Sequence, residues 1–126
     1  MNTPLLLAAA GLALIGLVHS VLGEVLVFRK LRTHGLVPTA GYPVLRERHV
    51  RILWASWHLV TVLGWALGAL LWRMGGGSWG NDLATWVDNT TTLALLVCAL
   101  LVGFATKGRH PAWCALLVVA VLVGWR

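Results

Sequence analysis

Eight of the ten Lys and Arg residues fall in two of the three connections between four apolar stretches, at residues 4–28, 53–72, 83–105 and 111–125. Arg29, Lys30, Arg32, Arg46, Arg48 and Arg51 separate the first stretch from the second, and Lys107 and Arg109 separate the third from the fourth. The remaining connection and the chain ends hold only Arg73 and Arg126. Apolar runs of this length point to membrane crossing, and basic loops are retained on the cytoplasmic side. Lipid offers no partner for unpaired backbone groups, and four spans are too few to close a barrel, so each stretch is helical. The expected fold is an all-α integral membrane bundle of four transmembrane helices. It forms one domain over residues 1–126, with both termini extracytoplasmic.

Composition supports that placement: 59% of residues are hydrophobic and 11% charged, against about 25% charged in soluble domains. The net charge of +6 is accounted for by loop topology and contact with anionic headgroups. No basic region is backed by a soluble module, so nucleic-acid binding is not expected. Cys98 and Cys114 both lie inside apolar stretches, which argues against a disulfide framework. The first stretch reads as a retained helix, because nothing basic precedes it and no A-x-A-like cleavage site follows.

Turn residues mark the connections. Gly108 and Pro111 predict a tight hairpin between the third and fourth helices. Pro38, Gly41 and Pro43 mark a cytoplasmic loop in which His34 and His49 are solvated, and Gly75-Gly76-Gly77 with Gly80 loosen the outer connection. Trp72, Trp79, Trp86 and Trp125 suit the outer membrane boundary, and Trp54, Trp57 and Trp113 suit the inner one.

Ionisable residues inside a span are costly and mark candidate sites. At 100° per residue, Gly16, His19, Ser20, Gly23 and Glu24 share one face of the first helix. Gly16 and Ser20 form a small-xxx-small pair that admits a second backbone. On the second helix, Arg51, Trp54, His58, Thr61, Trp65, Gly68 and Trp72 recur at spacings of three and four and predict an inward seam. By depth, His19, Glu24, Arg51, His58, Lys107 and His110 are expected to gather in the cytoplasmic half of one bundle, with Cys114 one turn beyond His110.

Facing imidazoles in a helical bundle can hold a b-type haem, with His19, His58, His110 and Glu24 as candidate binding residues. A transition metal such as Zn, Cu or Fe is the related reading, with His19, Glu24, His58, His110 and Cys114 as candidate ligands. Ser20, Arg51, Thr61 and Lys107 complete the polar site. A second reading is proton-coupled or ion transport by a homo-oligomer, since His titrates near neutrality. A third is a non-catalytic structural or assembly subunit of a membrane complex, in which Glu24 pairs with Arg51 or Lys107. An enzyme acting on lipid or quinone through Glu24 and His58 lacks a supporting nucleophile or phosphate-loop motif.

The strings His19-Ser20-Val21-Leu22-Gly23-Glu24, Trp57-His58 and Gly108-Arg109-His110-Pro111 resemble segments of small uncharacterised bacterial membrane proteins. The resemblance implies a multi-pass protein of the bacterial cytoplasmic (inner) membrane in contact with lipid, and it implies no activity.

Overall fold

The computed structural model describes residues 1–77 and 82–125, with Asp82 described by its backbone alone. Trp79, Gly80 and Arg126 therefore lie outside the described residues. The chain is all-α. Helix α1 spans Thr3–Leu26, α2 Glu47–Gly75, α3 Asp82–Thr106 and α4 Ala112–Gly124, and a short 3-10 turn, Phe28–Leu31, follows α1. Three helices are long and apolar enough to cross a membrane: α1, α2 and α3. Helix α4 has 13 residues, or about 20 Å at 1.5 Å per residue, which is shorter than a hydrocarbon core of about 30 Å.

Local chemistry sets the helix ends. The Asn2 side chain accepts from the Leu5 N–H at 3.3 Å, and Pro4 occupies the first turn of α1, where its missing N–H costs nothing. The Asn2 N–H donates to the Gly75 carbonyl at 2.8 Å, tying the start of α1 to the end of α2. At the other end α2 is longer than the apolar pattern predicts. Its 29 residues include a charged first turn and a half that carries Glu47, Arg48, His49 and Arg51 on helix rather than loop.

Helix α3 closes one residue before the expected stop. Lys107 already adopts the left-handed conformation at φ 53°, Gly108 follows at φ 71°, and the Gly108 N–H reaches back to the Gly103 carbonyl at 2.8 Å. Pro111 then precedes α4, its carbonyl accepting from the Cys114 N–H at 3.1 Å. The expected α3/α4 hairpin forms.

Each helix packs on its neighbour in sequence, α1 on α2, α2 on α3 and α3 on α4. Helix α1 makes no comparable interface with α3 or α4 among the described residues, so the four helices do not close around one axis. Helix α2 accordingly has two packed faces. The main core lies on its α3 side, where Trp54, Ala55, Val102 and Ala105 are buried, with Trp113 and Leu116 of α4 against them.

His34 and His49 are exposed, as expected, but part of the connection after α1 is folded into the core. Phe28 and Val37 join the core cluster, and Pro38 and Val50 are fully buried beside it. Gly41 fits because an added Cβ would come within 2.6 Å of Val50 Cγ2. Phe28, Val37 and Pro38 of this segment are buried, while Leu36, Tyr42, Val44, Arg29, Lys30 and Arg46 stay exposed and Arg32 is half-buried.

Candidate functional site

Helix α1 offers a notched face to α2, and two indoles fill the notches. The Trp57 ring occupies the space over Gly23, where a Cβ would sit 2.1 Å from its nitrogen, and Trp65 lies over Gly16 in the same way at 2.4 Å. Trp57 donates through Nε1 to the His19 carbonyl at 3.0 Å, and Trp65 to the Ala13 carbonyl at 3.1 Å. Between them, Thr61 Oγ1 lies 3.4 Å from the Gly16 carbonyl. Hydrogen bonds between helices in lipid contribute about 0.6 kcal/mol each on average. The small-residue face of α1 thus packs as its sequence predicts.

The inward seam of α2 is partly as expected. Trp54, Thr61 and Gly68 are buried, whereas Trp65 is 46% and Trp72 60% exposed. Trp57, read from sequence as a boundary ring, is instead the central contact with α1, and Trp54 belongs to the core. Trp113 is also engaged, donating to the Gly108 carbonyl at 3.0 Å. Trp57 and Trp113 are fixed by donation to backbone carbonyls, and Trp54 by packing in the core.

The imidazoles sit in this interface. His19 stacks on Trp57 with ring centroids 4.4 Å apart and planes 7° from parallel. His58 Nδ1 is 2.9 Å from Ser20 Oγ, which is 2.8 Å from Thr61 Oγ1, so three side chains form a hydrogen-bonded chain across the two helices. Trp54 meets the His58 ring edge-on at 4.8 Å, and Phe28 lies 6.2 Å from it. Two nitrogens in this region are buried without a partner, His19 Nε2 and Trp54 Nε1. Glu24 pairs with Arg32 of the connection, which also donates to the Leu36 carbonyl at 2.9 Å. Its partner is therefore neither Arg51 nor Lys107. The fold-back of the connection brings Arg32 to it.

The remaining members of the expected cluster lie elsewhere. Arg51, Lys107 and His110 border a recess of about 620 Å³ at the basic end, between the first turns of α2 and the α3/α4 link. Glu47, Arg48, His49 and Arg109 also line it, and sequence reading had assigned none of them to a site. Arg51 donates through Nε to Glu47 Oε1 at 2.7 Å and through Nη1 to the Ala105 carbonyl at 3.1 Å, which ties α2 to the end of α3. Glu47 lies ahead of the apolar part of α2, and the Arg51 guanidinium holds its exposed carboxyl below the usual carboxylate range. The spacing of Glu47 and Arg51, four residues apart, was the legible signal for this pair. Cys114 is exposed on α4 and does not border the recess.

One expected constellation is therefore two. His19, Ser20, Glu24, His58 and Thr61 share the α1/α2 interface, and Arg51, Lys107 and His110 share the recess. Among the described residues no group of three or more His, Cys, Asp or Glu side chains converges as a metal site. Compared with protein-family models, curated proteins and solved structures, the chain matches none, and its own residues carry the functional reading.

Proposed function

We propose that this is a four-span protein of the bacterial inner membrane, its basic end cytoplasmic, that binds a redox cofactor through His19 and His58. The observation that carries the reading is what packing leaves over. Hydrogen bonding across the interface uses Ser20, Thr61 and the Trp57 nitrogen, yet His19 Nε2 is buried with no partner. Buried polar atoms are rarely left so. Ser20 holds Nδ1 of His58, which leaves Nε2 for a ligand, the arrangement by which an outer partner orients a metal-binding imidazole. Two imidazoles without a third protein ligand suit haem b better than a bare ion, because a porphyrin supplies the other four iron ligands. Phe28, Trp54 and Trp57 provide aromatic walls beside the two rings.

An absorption spectrum of the purified protein, as isolated and after titration with hemin, tests this. A Soret band is expected, lost in His19→Ala and in His58→Ala, with the double variant losing little more because the two act as one unit. Absence of the band in both preparations refutes haem binding. The Ser20 link between His58 and Thr61 favours a second reading, proton transfer or ion transport by a homo-oligomer. Proton flux into liposomes that depends on His58 and Ser20, without a Soret band, selects it.

A further inference from the structure

The recess at the basic end is a site independent of the imidazole pair. Its border carries four formal positive charges, on Arg48, Arg51, Lys107 and Arg109, against the single carboxylate of Glu47. That carboxylate and Arg51 neutralise each other. The side chains of Lys107 and Arg109 have no hydrogen bond or ion pair among the described residues and act on Glu47 only at longer range. Loop topology explains why this end is basic, but not why these residues surround a concavity while Arg29, Lys30 and Arg46 do not border it.

The backbone adds a separate observation. Lys107 is the one non-glycine residue at positive φ among the described residues, at 53°. A left-handed conformation costs a residue with a Cβ roughly 1–2 kcal/mol, and glycine would hold this turn without that cost. The strain falls on one of the two free cations of the recess, as it does where a side chain is held for a ligand. A volume of about 620 Å³ exceeds a bare inorganic anion and lies in the range of about 300–1,000 Å³ used for small-molecule ligands. Ile52, where the apolar part of α2 begins, forms part of the wall, so the recess sits where polar and apolar surroundings meet.

From this arrangement we infer that the recess binds a phosphate-bearing ligand, its phosphate held by Lys107 and Arg109 at the mouth. A phospholipid headgroup and a soluble phosphorylated compound share that chemistry. The full-length protein in dodecyl maltoside micelles, which carry no phosphate, is titrated by calorimetry with short-chain phosphatidylglycerol and, separately, with inorganic phosphate. Lys107→Gly and Arg109→Gln are each expected to weaken binding at least about tenfold, the loss of one charge-assisted hydrogen bond. Lys30→Gln, the same charge change at the same end but outside the recess, leaves binding unchanged. Lys107→Gly keeps the left-handed turn and should melt at or above the parent temperature; should it fail to fold, Arg109→Gln carries the test.

Tighter binding of phosphatidylglycerol than of phosphate, with competition between them, assigns a lipid headgroup. Binding of phosphate alone assigns a soluble ligand. Binding of neither, or equal loss in Lys30→Gln, overturns the inference. His19→Ala is expected to retain this binding, so failure of the haem reading and failure of this one are distinguishable.

Discussion

Replacing Gly23 by Ala puts the α1/α2 interface under direct strain. The new Cβ would lie 2.1 Å from Trp57 Nε1, 2.5 Å from Cε2 and 2.7 Å from Cδ1. Ordinary carbon contacts start near about 3.5 Å, so the indole must retreat by roughly 1 Å or more. That motion breaks its hydrogen bond to the His19 carbonyl and disturbs the stacked imidazole. Overpacking costs about 1–3 kcal/mol, and the lost interhelical bond adds about 0.6. Better helix propensity of Ala over Gly returns up to about 1 kcal/mol. The net expectation is a destabilisation of about 1–3 kcal/mol, a shift in the folding equilibrium of roughly fivefold to 150-fold. Gly64→Ala is the control, since nothing lies within 4 Å of its added Cβ; it should be neutral or slightly stabilising. Equilibrium unfolding of both variants in mixed detergent micelles, followed by Trp fluorescence and circular dichroism, measures the difference. Equal stability of Gly23→Ala and Gly64→Ala would refute the notched interface. A cycle with Trp57→Leu sharpens the result, because the cost of Gly23→Ala should shrink once the indole is gone.

Thr61→Leu and Gly68→Leu should lower the melting temperature in detergent more than Leu63→Ile or Leu70→Ile, since Thr61 and Gly68 are buried and a Cβ at Gly68 already meets Ala9 and Leu12 at 3.4 Å. Periplasmic reporters fused at either terminus should be active and cytoplasmic ones inactive; strong cytoplasmic activity of a fusion at Arg126 would reverse the proposed topology. Because pairing with Arg51 depresses the folded-state pKa of Glu47, its contribution is complete above the ordinary carboxylate range and is lost as pH falls through the lowered value. Melts recorded against pH should therefore show a shallower acid decline for Glu47→Gln than for the parent, and superimposable curves would remove the pair from the stability account.

Much of the architecture was legible because lipid leaves few options. Apolar length located α1, α2 and α3 to within a few residues over their apolar parts, and small residues on one face of α1 marked where α2 would press. The start of α2 was missed because Glu47, Arg48 and Arg51 lower the apolar signal without weakening the helix. Trp57 was misread for a physical reason: α2 is packed on two sides, and the seam of spacing three and four passes from α3 at Arg51 and Trp54 to α1 at Thr61, Trp65 and Gly68, which leaves Trp57 off it. The gathering of six polar residues failed because position along each helix was readable, but which helices touch was not. With α1 packed mainly on α2 among the described residues, His19 and His110 belong to different sites. Arg32 reaches Glu24 through the fold-back of an irregular connection, and no periodic pattern encodes that.

The two indoles over two glycines also restrict how this chain can diverge. Gly16 and Gly23 are seven residues apart on α1, and Trp57 and Trp65 eight apart on the antiparallel α2. Sliding one helix past the other by a single turn would set both rings against side chains at once. The hairpin therefore works like a lock with two pins, and it selects one alignment out of the many that purely apolar surfaces would tolerate. An enlarged residue at position 23 becomes acceptable only where position 57 has shrunk, and positions 16 and 65 are tied in the same way. Among descendants of this sequence, these four positions are expected to change in pairs, while the lipid-facing leucines and valines of α1 drift freely.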